Sequence, residues 1–470
     1  MKAGTDSQRW FADPTLQRLL DQHTRSTVTP GNAVRLLING DSAFARRHEN
    51  LATAKVILVK TFIWTDDEAG RRLADDIAAR ARAGVPVVIQ YDYKGNIGSL
   101  ADAEDMLSRA TPERPVGEPR VIADLRAAGA IIVATNSPGR PVAVREWADN
   151  SKRLFNDPNA AVKRSMESLL LFDHCDHDKY FITIHDGGEV RAIVGGLNIA
   201  SEYALGGVPT RRDPKTGRGG WRDTDLEISG PSAFAIIDEF LADYQRHRGA
   251  PPPAPLVAIL RELSGDPTIA RGDVAIRFVV NNPLFDKTRH IEDVYRILVM
   301  ATPKTEPIYL ATPYFAPSKE LRDALLAHMR AGGSVTVVTN SYDSSDIGIL
   351  TDAARYSARE LFKSERFRYY ERIPRPDIGE VMLHHKVASF GKSGPVIIGS
   401  PNLDAQSFVH NGEALAVIEN AVFRKLFDQM AAVDIAGDRA RAIGRADLES
   451  VSLAARLRSF VAGELAWYWL

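Results

Sequence analysis

The sequence contains a single cysteine, Cys175, among its 470 residues. One thiol cannot form an intrachain disulfide, which excludes the disulfide-stabilised secreted scaffolds and fits a reducing compartment. No uninterrupted apolar run approaches the roughly 20 residues that a membrane-spanning helix needs. The first thirty residues carry Arg, Asp and Gln throughout and show no apolar stretch of the kind found in signal peptides. These absences predict a cytoplasmic protein without a membrane span.

The chain also lacks a surplus of positive charge. Its 59 Lys and Arg residues are balanced by 60 Asp and Glu residues, for a net charge of −1. Proteins that bind the nucleic-acid backbone usually carry a basic surplus, because release of counterions supplies much of their affinity. Basic residues are concentrated locally at 140–164 and 211–218. Such stretches are typical of solvated loops, with contact to anionic lipid or to phosphate at a pocket rim as the alternative. The balance predicts no nucleic-acid partner.

A short polar signature is present twice, separated by about half the chain. Each copy reads H-x-K, then a β-like run, then G-[GS]-x-N. The polar residues are His177, Lys179 and Asn198 in the first copy and His384, Lys386 and Asn402 in the second. One copy would be weak evidence, but two matched copies predict a single composite site.

The segments around the signature repeat as well. Residues 34–44 resemble residues 276–285, and each is followed by a helical stretch, a buried-type strand, an amphipathic helix and a further strand. The helices predicted at 73–83 and 321–331 both run into glycine, a common helix stop. The pattern predicts an α/β fold that is duplicated, with two pseudo-two-fold-related lobes that each contain a mixed β-sheet flanked by helices.

The domain boundaries follow from composition and from the repeat. We expect an N-terminal extension at 1–30, a first lobe at 31–246, a Pro-rich linker and helix at 247–270, a second lobe at 271–435 and a helical tail at 436–470. The tail has an amphipathic start and ends in Trp467, Tyr468 and Trp469. Docking on the protein's own surface is the default interpretation. An interfacial membrane anchor is the alternative, because Trp and Tyr favour the headgroup region.

The residue types of the signature are suited to phosphodiester chemistry. Lys179 and Lys386 can neutralise the charge that builds on phosphate oxygens, and Asn198 and Asn402 can donate hydrogen bonds without adding charge. A neutral imidazole can attack phosphorus to give a covalent phosphohistidine. A second, protonated imidazole can then give its proton to the leaving alcohol. This chemistry needs no metal and no cofactor.

Each histidine also needs a carboxylate to fix its tautomer. Glu413 follows His384 within a strand-like run, and Asp225 follows His177 within a matching run, with Asp223 as its rival. We therefore expect Glu413 to serve the second half and Asp225 the first.

Two other groups have alternative interpretations. His174, Cys175, Asp176, His177 and His185 cluster in sequence, but a metal site built from them would lack the two separated ligand pairs typical of zinc. Alternation along a strand places His385 on the face opposite His384 and predicts a packing role.

Four aromatic residues end the matched strands of the two halves. We expect Phe62 and Phe315 to pack in the core, and core packing competes with a pocket-wall role for Trp64 and Tyr314.

At these motifs the chain resembles the phospholipase D superfamily, whose signature is two H-x-K-x4-D motifs, each followed by G-[GS]-x-N. The run GSPNLDAQSF with the downstream Asn411 and Glu413 resembles the C-terminal half of bacterial cardiolipin synthases. The run VGGLNIASEY followed by WRDTDLEISGP resembles their N-terminal half. The resemblance implies a role in phospholipid metabolism, with His177 as nucleophile and His384 as general acid and base.

The motif aspartates depart from this pattern. Ile184 and Gly391 stand where the resemblance expects Asp, and Asp186 lies two places late in the first copy. In the family this aspartate is mainly structural, so the departures predict an altered turn.

The expected function is therefore a phospholipase D-type phosphodiesterase or phosphatidyltransferase acting on phospholipids, peripheral at the inner face of the membrane. Water as acceptor gives a phospholipase D, and the alcohol of a phosphatidylglycerol gives a cardiolipin synthase. A nuclease of the same superfamily and an inactive lipid-binding scaffold are the alternatives. The neutral charge balance argues against the nuclease, and the retention of both histidines and both lysines argues against the scaffold.

Overall fold

The computed structural model describes residues 10–96, 118–136, 174–212, 217, 219–286, 288–465 and 467. The basic stretch at 140–164, together with Lys215, Arg218, Tyr468 and Trp469, lies outside the described residues.

Strands and helices alternate along the chain. The strands are β1 (Val28–Ile38), β2 (Val56–Thr61), β3 (Val87–Asp92), β4 (Ile131–Thr135), β5 (Tyr180–Ile184), β6 (Val190–Gly195), β7 (Trp221–Arg222), β8 (Thr224–Ser229), β9 (Val274–Asn281), β10 (Pro307–Ala311), β11 (Ser334–Thr339), β12 (Phe367–Arg372), β13 (Met382–Leu383), β14 (Lys386–Phe390), β15 (Val396–Gly399), β16 (Glu413–Glu419) and β17 (Ala440–Ile443). The helices are α1 (Pro14–Thr24), α2 (Asn39–Thr53), α3 (Glu68–Arg82), α4 (Arg120–Ala127), α5 (Ser201–Ala204), α6 (Pro231–Arg248), α7 (Ala254–Leu263), α8 (Pro283–Asp286), α9 (His290–Ala301), α10 (Lys319–Arg330), α11 (Gly348–Leu361), α12 (Ala421–Asp434), α13 (Arg445–Glu449) and α14 (Leu453–Phe460).

Within the described residues, all strands except β7 and β13 form one mixed sheet, in which β1 and β9 are neighbours. Outward from β1 the order is β8, β6, β5, β2, β3 and β4. Outward from β9 it is β16, β15, β14, β10, β11 and β12, followed by β17. Apart from β17, the two halves share strand order and pairing sense, with the predicted mixed α/β architecture. That they arose by duplication stays a prediction.

The inner faces of the two halves pack against each other. β15 contacts β8 and β6, although none of these pairs is hydrogen-bonded. The sheet turns at β1, which pairs with β9 through its first residues and with β8 through its last. Its register shifts between Thr29 and Asn32, where Gly31 adopts φ 85°, a conformation that glycine tolerates best. One hydrophobic cluster fills the space between the two halves of the sheet. A further cluster lies under the outer helices of the first half, and another lies under those of the second half.

The amphipathic helices form where the periodicity predicts them. In α3 the side chains of Leu73, Ala74, Ile77 and Ala78 are buried, which is the three- and four-residue spacing of one helix face. The helix begins earlier than the predicted residue 73, because the carboxylate of Asp67 accepts a hydrogen bond from the Gly70 N–H at 2.8 Å and caps its N-terminus. Among the described residues, no helix is both long and apolar enough to cross a bilayer.

Both predicted terminal segments pack against the rest of the protein. α1, from the predicted N-terminal extension, contributes Leu16 and Leu20 to the core cluster of the second half. The predicted helical tail is wrong at its start, because residues 440–443 form β17 and pair antiparallel with β12. That pairing covers an edge whose backbone groups would otherwise lack partners. The lobe boundaries themselves stay a prediction.

Candidate functional site

Each H-x-K segment lies against a segment of the opposite half. The N–H groups of His177 and Asp178 donate to the carbonyl of Gly412 at 2.8 and 3.0 Å. In the matching place, the His384 N–H donates to the carbonyl of Arg222 at 2.7 Å, and β13 pairs in parallel with β7. Gly412 precedes Glu413, and Arg222 precedes Asp223. The backbone thus brings each histidine to the carboxylate of the other half.

Glu413 is the hydrogen-bond partner of His177. The Nδ1 of His177 lies 2.9 Å from Oε1 and 3.1 Å from Oε2 of Glu413. The hydroxyl of Ser407 donates to Oε1 at 2.7 Å, and that of Ser400 donates to Oε2. The expectation that Glu413 serves His384 is therefore wrong, because the interlocked segments exchange the carboxylates between halves.

Asp223 fills the equivalent place for His384. The Nδ1 of His384 lies 2.7 Å from Oδ2 of Asp223. Asp225, the residue expected to orient His177, instead accepts a hydrogen bond from Arg47 at 2.7 Å. The register explains the error: Gly195 pairs with Asp225 and Gly399 pairs with Leu415, so Asp225 corresponds to Leu415 and Asp223 to Glu413. Two residues along a strand are about 7 Å, too far to be interchangeable.

Both motif lysines are buried beside their histidines. Lys179 Nζ donates to the His177 carbonyl. Lys386 Nζ donates to the His384 carbonyl at 2.7 Å and lies 2.8 and 3.1 Å from the two ring nitrogens of His384. Burial, opposed by Asp223 and reinforced by Lys179, lowers the pKa of Lys386 to about 7.

Burial favours the neutral form of both imidazoles by lowering their pKa values. Burial lowers the pKa of His177 to about 4, although Glu413 acts in the opposite direction. Burial together with Lys386 and Lys179 holds the pKa of His384 well below its ordinary value. With each Nδ1 proton donated to a carboxylate, each Nε2 keeps a lone pair. A neutral imidazole of this kind can act as a nucleophile or accept a proton.

The two motif asparagines are held differently. Asn198 donates from Nδ2 to the Tyr203 hydroxyl at 2.8 Å and accepts at Oδ1 from the Ile63 N–H at 3.1 Å. One amide hydrogen of Asn198 is left for a ligand. Asn402 is buried, and its Oδ1 has no hydrogen-bond partner among the described residues.

Aromatic rings enclose both histidines. The Phe62 ring centroid lies 5.1 Å from that of His177, so Phe62 contacts the site and is not only core packing as predicted. Tyr203 and Trp221 lie 5.0 and 5.1 Å from the ring of His384. Both were missed in the sequence, although Tyr203 follows the first G-x-x-N motif by five residues and Trp221 precedes Asp223 by two.

The remaining three predicted aromatic residues belong to core clusters. Trp64 is fully buried and donates from Nε1 to the Gly70 carbonyl at 3.1 Å, so the pocket-wall alternative is wrong for it. Phe315 is fully buried in a core cluster, as expected. Tyr314 is nearly buried and donates from its hydroxyl to Asp346 at 2.7 Å.

A buried ion cluster behind His177 was also missed. Lys60 Nζ lies 2.8 Å from Oδ1 of Asp178 and contacts Asp243, and Asp176 lies 2.8 Å from His247 Nε2. The signal in the sequence is a lysine inside the otherwise apolar run of β2. The cluster fixes both residues that flank His177.

Among the residues of the metal alternative, His174 Nε2 lies 3.5 Å from Oδ1 of Asp176, and the other three have separate partners. His177 bonds Glu413, Cys175 Sγ donates to Asn411 at 3.0 Å, and His185 contacts Thr53 and Thr183. In the part of the chain that the structure describes, no three His, Cys, Asp or Glu side chains are arranged to hold a metal. His385 is fully buried, with its Nδ1 3.3 Å from the Thr224 hydroxyl, which agrees with a packing role.

Comparison with known proteins points to one family. The family model described as "Cardiolipin synthase, PLD-like domain" matches residues 298–433. Cardiolipin synthase A of Pseudomonas aeruginosa is 25% identical over 428 residues, covering 89% of this chain and 70% of the relative. The probable cardiolipin synthase YwiE of Bacillus subtilis is 26% identical over 409 residues, covering 87% of this chain and 66% of the relative. The chain is thus similar to cardiolipin synthases and to phospholipase D-like proteins.

A solved phospholipase D-fold structure covers nearly the whole chain. Phosphatidylserine synthase of Haemophilus influenzae matches with a TM-score of 0.65 at 13% identity, covering 97% of this chain and 100% of that one. This similarity concerns the fold alone.

The two positions that lack the motif aspartate have surroundings of their own. Ile184 is buried in β5, and the exposed Asp186 lies 3.3 Å from Lys55 Nζ. Gly391 adopts φ 70°, and a Cβ there would lie 2.4 Å from Oε2 of Glu306. The turn in the second half is therefore built for glycine, while His384 and Lys386 keep their places.

Proposed function

We propose that the chain is a phospholipase D-type phosphatidyltransferase or phosphodiesterase that acts on phospholipids through a covalent phosphohistidine. The observation that carries the proposal is the pair of buried imidazoles, each hydrogen-bonded through Nδ1 to a carboxylate of the opposite half and flanked by a buried lysine. The names of the relatives, which are cardiolipin synthases, support phospholipids as the substrate class.

In the first step, Nε2 of His177 attacks phosphorus and the bond to the leaving alcohol breaks. His384, protonated when the anionic phosphate enters, gives its Nε2 proton to the leaving oxygen. The phosphoryl group is then covalently bound to His177. The resemblance to the superfamily supports this assignment of the two roles.

In the second step, neutral His384 removes a proton from the incoming hydroxyl, and that oxygen displaces His177 from phosphorus. Lys179 and Lys386, which are buried, stabilise the negative oxygens in both steps. Glu413 and Asp223 stabilise the positive charge that forms on each imidazole. The steps balance without metal or cofactor.

The acceptor decides between two activities. Transfer to the alcohol of a phosphatidylglycerol would make the protein a cardiolipin synthase, which the description of the matching family model and the names of the relatives favour. Transfer to water would make it a phospholipase D.

The test is incubation with phosphatidylglycerol and with phosphatidylethanolamine, followed by mass analysis of the lipids. We expect either cardiolipin or phosphatidic acid, unchanged by EDTA, and loss of turnover in His177→Ala and His384→Ala. His23→Ala is the matched control, because His23 has a half-exposed side chain on α1.

Three results would count against the proposal. Full turnover in either active-site variant would exclude the histidine mechanism. Loss of activity in EDTA would return the metal alternative. Cleavage of DNA in preference to lipid would make the protein a nuclease.

A further inference from the structure

One helix near the C-terminal end turns an apolar face to solvent. Leu453, Leu457, Phe460 and Val461 are 75%, 60%, 41% and 42% exposed. Their spacing of four, seven and eight residues puts them on one side of α14 and the turn that follows it. We call this set the α14 face. It reverses the usual arrangement, in which the apolar side of a surface helix is buried.

Polar contacts hold the opposite side of α14 to the protein. Arg458 Nε donates to Oδ2 of Asp352 at 2.6 Å, and the buried Ser459 hydroxyl donates to Oδ1 of the same residue at 3.3 Å. Asp352 lies in the first turns of α11. The helix is therefore fixed in one orientation, with the α14 face outward.

The chain beyond α14 continues to the segment that contacts Leu403, the neighbour of Asn402. Glu464 accepts hydrogen bonds from Arg322 at 3.1 Å and from Tyr356 at 2.8 Å. Trp467 Nε1 then donates to the Ala316 carbonyl at 2.6 Å. The Ala316 N–H donates to the carbonyl of Leu403, the residue after Asn402. The α14 face is thus connected by direct contacts to the rim of the site.

Two further exposed aliphatic side chains lie at the same edge. Ile347 and Ile349 are 41% and 45% exposed at the start of α11, the end that holds α14 through Asp352. They follow Asp346, which accepts the hydrogen bond from Tyr314. Apolar groups from two segments that contact each other are therefore exposed.

We propose that the α14 face, with Ile347 and Ile349, inserts into the interfacial region of a phospholipid bilayer. The inference rests on the proposed function. A phospholipid is anchored by its acyl chains, whereas His177 and His384 are only 8% and 5% exposed, so the headgroup must reach a buried site from the membrane surface. An aliphatic and aromatic face beside the exposed Arg456 has the chemistry of an interfacial helix.

The test is sedimentation with vesicles of phosphatidylglycerol and phosphatidylcholine. We expect the double variant Leu453→Ser, Leu457→Ser to lower the partition coefficient by about 100-fold, from the loss of two buried leucines. Wild-type binding should persist in about 0.5 M salt, because screening acts on charges and not on apolar contacts. The matched control is Met300→Ser, Val422→Ser, which removes two aliphatic side chains that are 63% and 71% exposed on α9 and α12.

Equal partitioning of the double variant and wild type would overturn the proposal. So would a wild-type dimer that the double variant dissociates, since that would assign the α14 face to a second copy of this chain. Loss of vesicle binding in the control variant as well would also overturn the proposal, because it would show that binding does not depend on the α14 face.

The proposed function is tested separately with a short-chain phospholipid that is monomeric in solution. The double variant should turn over this substrate at the wild-type rate, whereas His177→Ala should not. Wild type could be inactive on this short-chain substrate while the vesicle-binding results are as expected. In that case the proposed function would be wrong and the proposal that the α14 face binds a membrane would be supported.

Discussion

Glu413 of the second half and His177 of the first half are joined by a hydrogen bond of 2.9 Å between Oε1 and Nδ1. The reciprocal bond, 2.7 Å between Asp223 and His384, runs from the first half to the second. Neither half therefore supplies both His177 or His384 and the carboxylate bonded to that histidine. The two histidine–carboxylate pairs form only when the two halves are packed together, so we expect activity to depend on the intact interface.

We expect Glu413→Gln to lower kcat by at least about 100-fold. The amide removes the negative charge that stabilises the His177 imidazolium and no longer fixes its tautomer. Steady-state kinetics on the preferred phospholipid would measure the loss, with the exposed Glu449→Gln as control. Retention of wild-type kcat would show that His177 is not the residue that becomes positively charged.

Asp223 and Asp225 should give opposite results, although they are separated by one residue. We expect Asp223→Asn to lower kcat by at least about 100-fold with a small change in melting temperature, because its carboxylate contacts His384. Asp225→Asn should lower stability by about 3–5 kcal/mol, because it leaves the buried Arg47 without its charged partner. Thermal unfolding and kinetics on both variants would separate the two effects.

The double variant Arg47→Met, Asp225→Leu is the control for this comparison. Replacing both members of a buried ion pair with apolar residues is often nearly neutral. We expect it to recover most of the stability that Asp225→Asn loses. An Asp225→Asn protein that is stable and inactive would contradict the structural assignment.

The parts of the site that depend on local sequence were predictable, and those that depend on packing were not. His177, Lys179, His384 and Lys386 are spaced so that alternation along one strand keeps each pair on the same face. The mixed α/β architecture was likewise readable from periodicity. The partner of Glu413 was not, since the choice between His177 and His384 depends on which half Gly412 pairs with.

The register of β8 is a second feature that the sequence left open. Asp223 and Asp225 differ by two positions and have the same parity, so alternation cannot distinguish them. Their roles are decided by the pairing of Asp225 with Gly195 and by the reach of Arg47 from α2. The tail strand β17 was not predicted for a related reason. It forms because it pairs with the edge strand β12, and not because of the hydrophobic pattern of its own sequence.

Lys386 should set the alkaline limit of activity. Its folded-state pKa of about 7 is below the ordinary value, so the ammonium is fully present only below pH 7 and is lost as the pH rises through that value. Because the charged form stabilises the phosphate oxygens, kcat/KM should fall above about pH 7. Arginine cannot deprotonate in this pH range. We therefore expect Lys386→Arg to remove the decrease in kcat/KM above pH 7 while lowering the maximum value of kcat/KM. If kcat/KM fell at the same pH in both proteins, the decrease would be due to another titrating group.

Restoring the family aspartate at Gly391 should destabilise the protein without improving catalysis. Gly391 adopts φ 70°, where a side-chain-bearing residue costs about 1–3 kcal/mol, and its Cβ would lie 2.4 Å from Oε2 of Glu306. The carboxylate of Gly391→Asp would also face that of Glu306, adding like-charge repulsion. We expect a lower melting temperature for Gly391→Asp and a partial recovery in the double variant with Glu306→Ala. His384 is positioned by Arg222 and Asp223, and Lys386 donates to the His384 carbonyl. We therefore expect kcat to stay within about twofold of wild type, a change in the activation barrier of about 0.4 kcal/mol. A rise in kcat would show that the turn at Gly391 limits the chemistry.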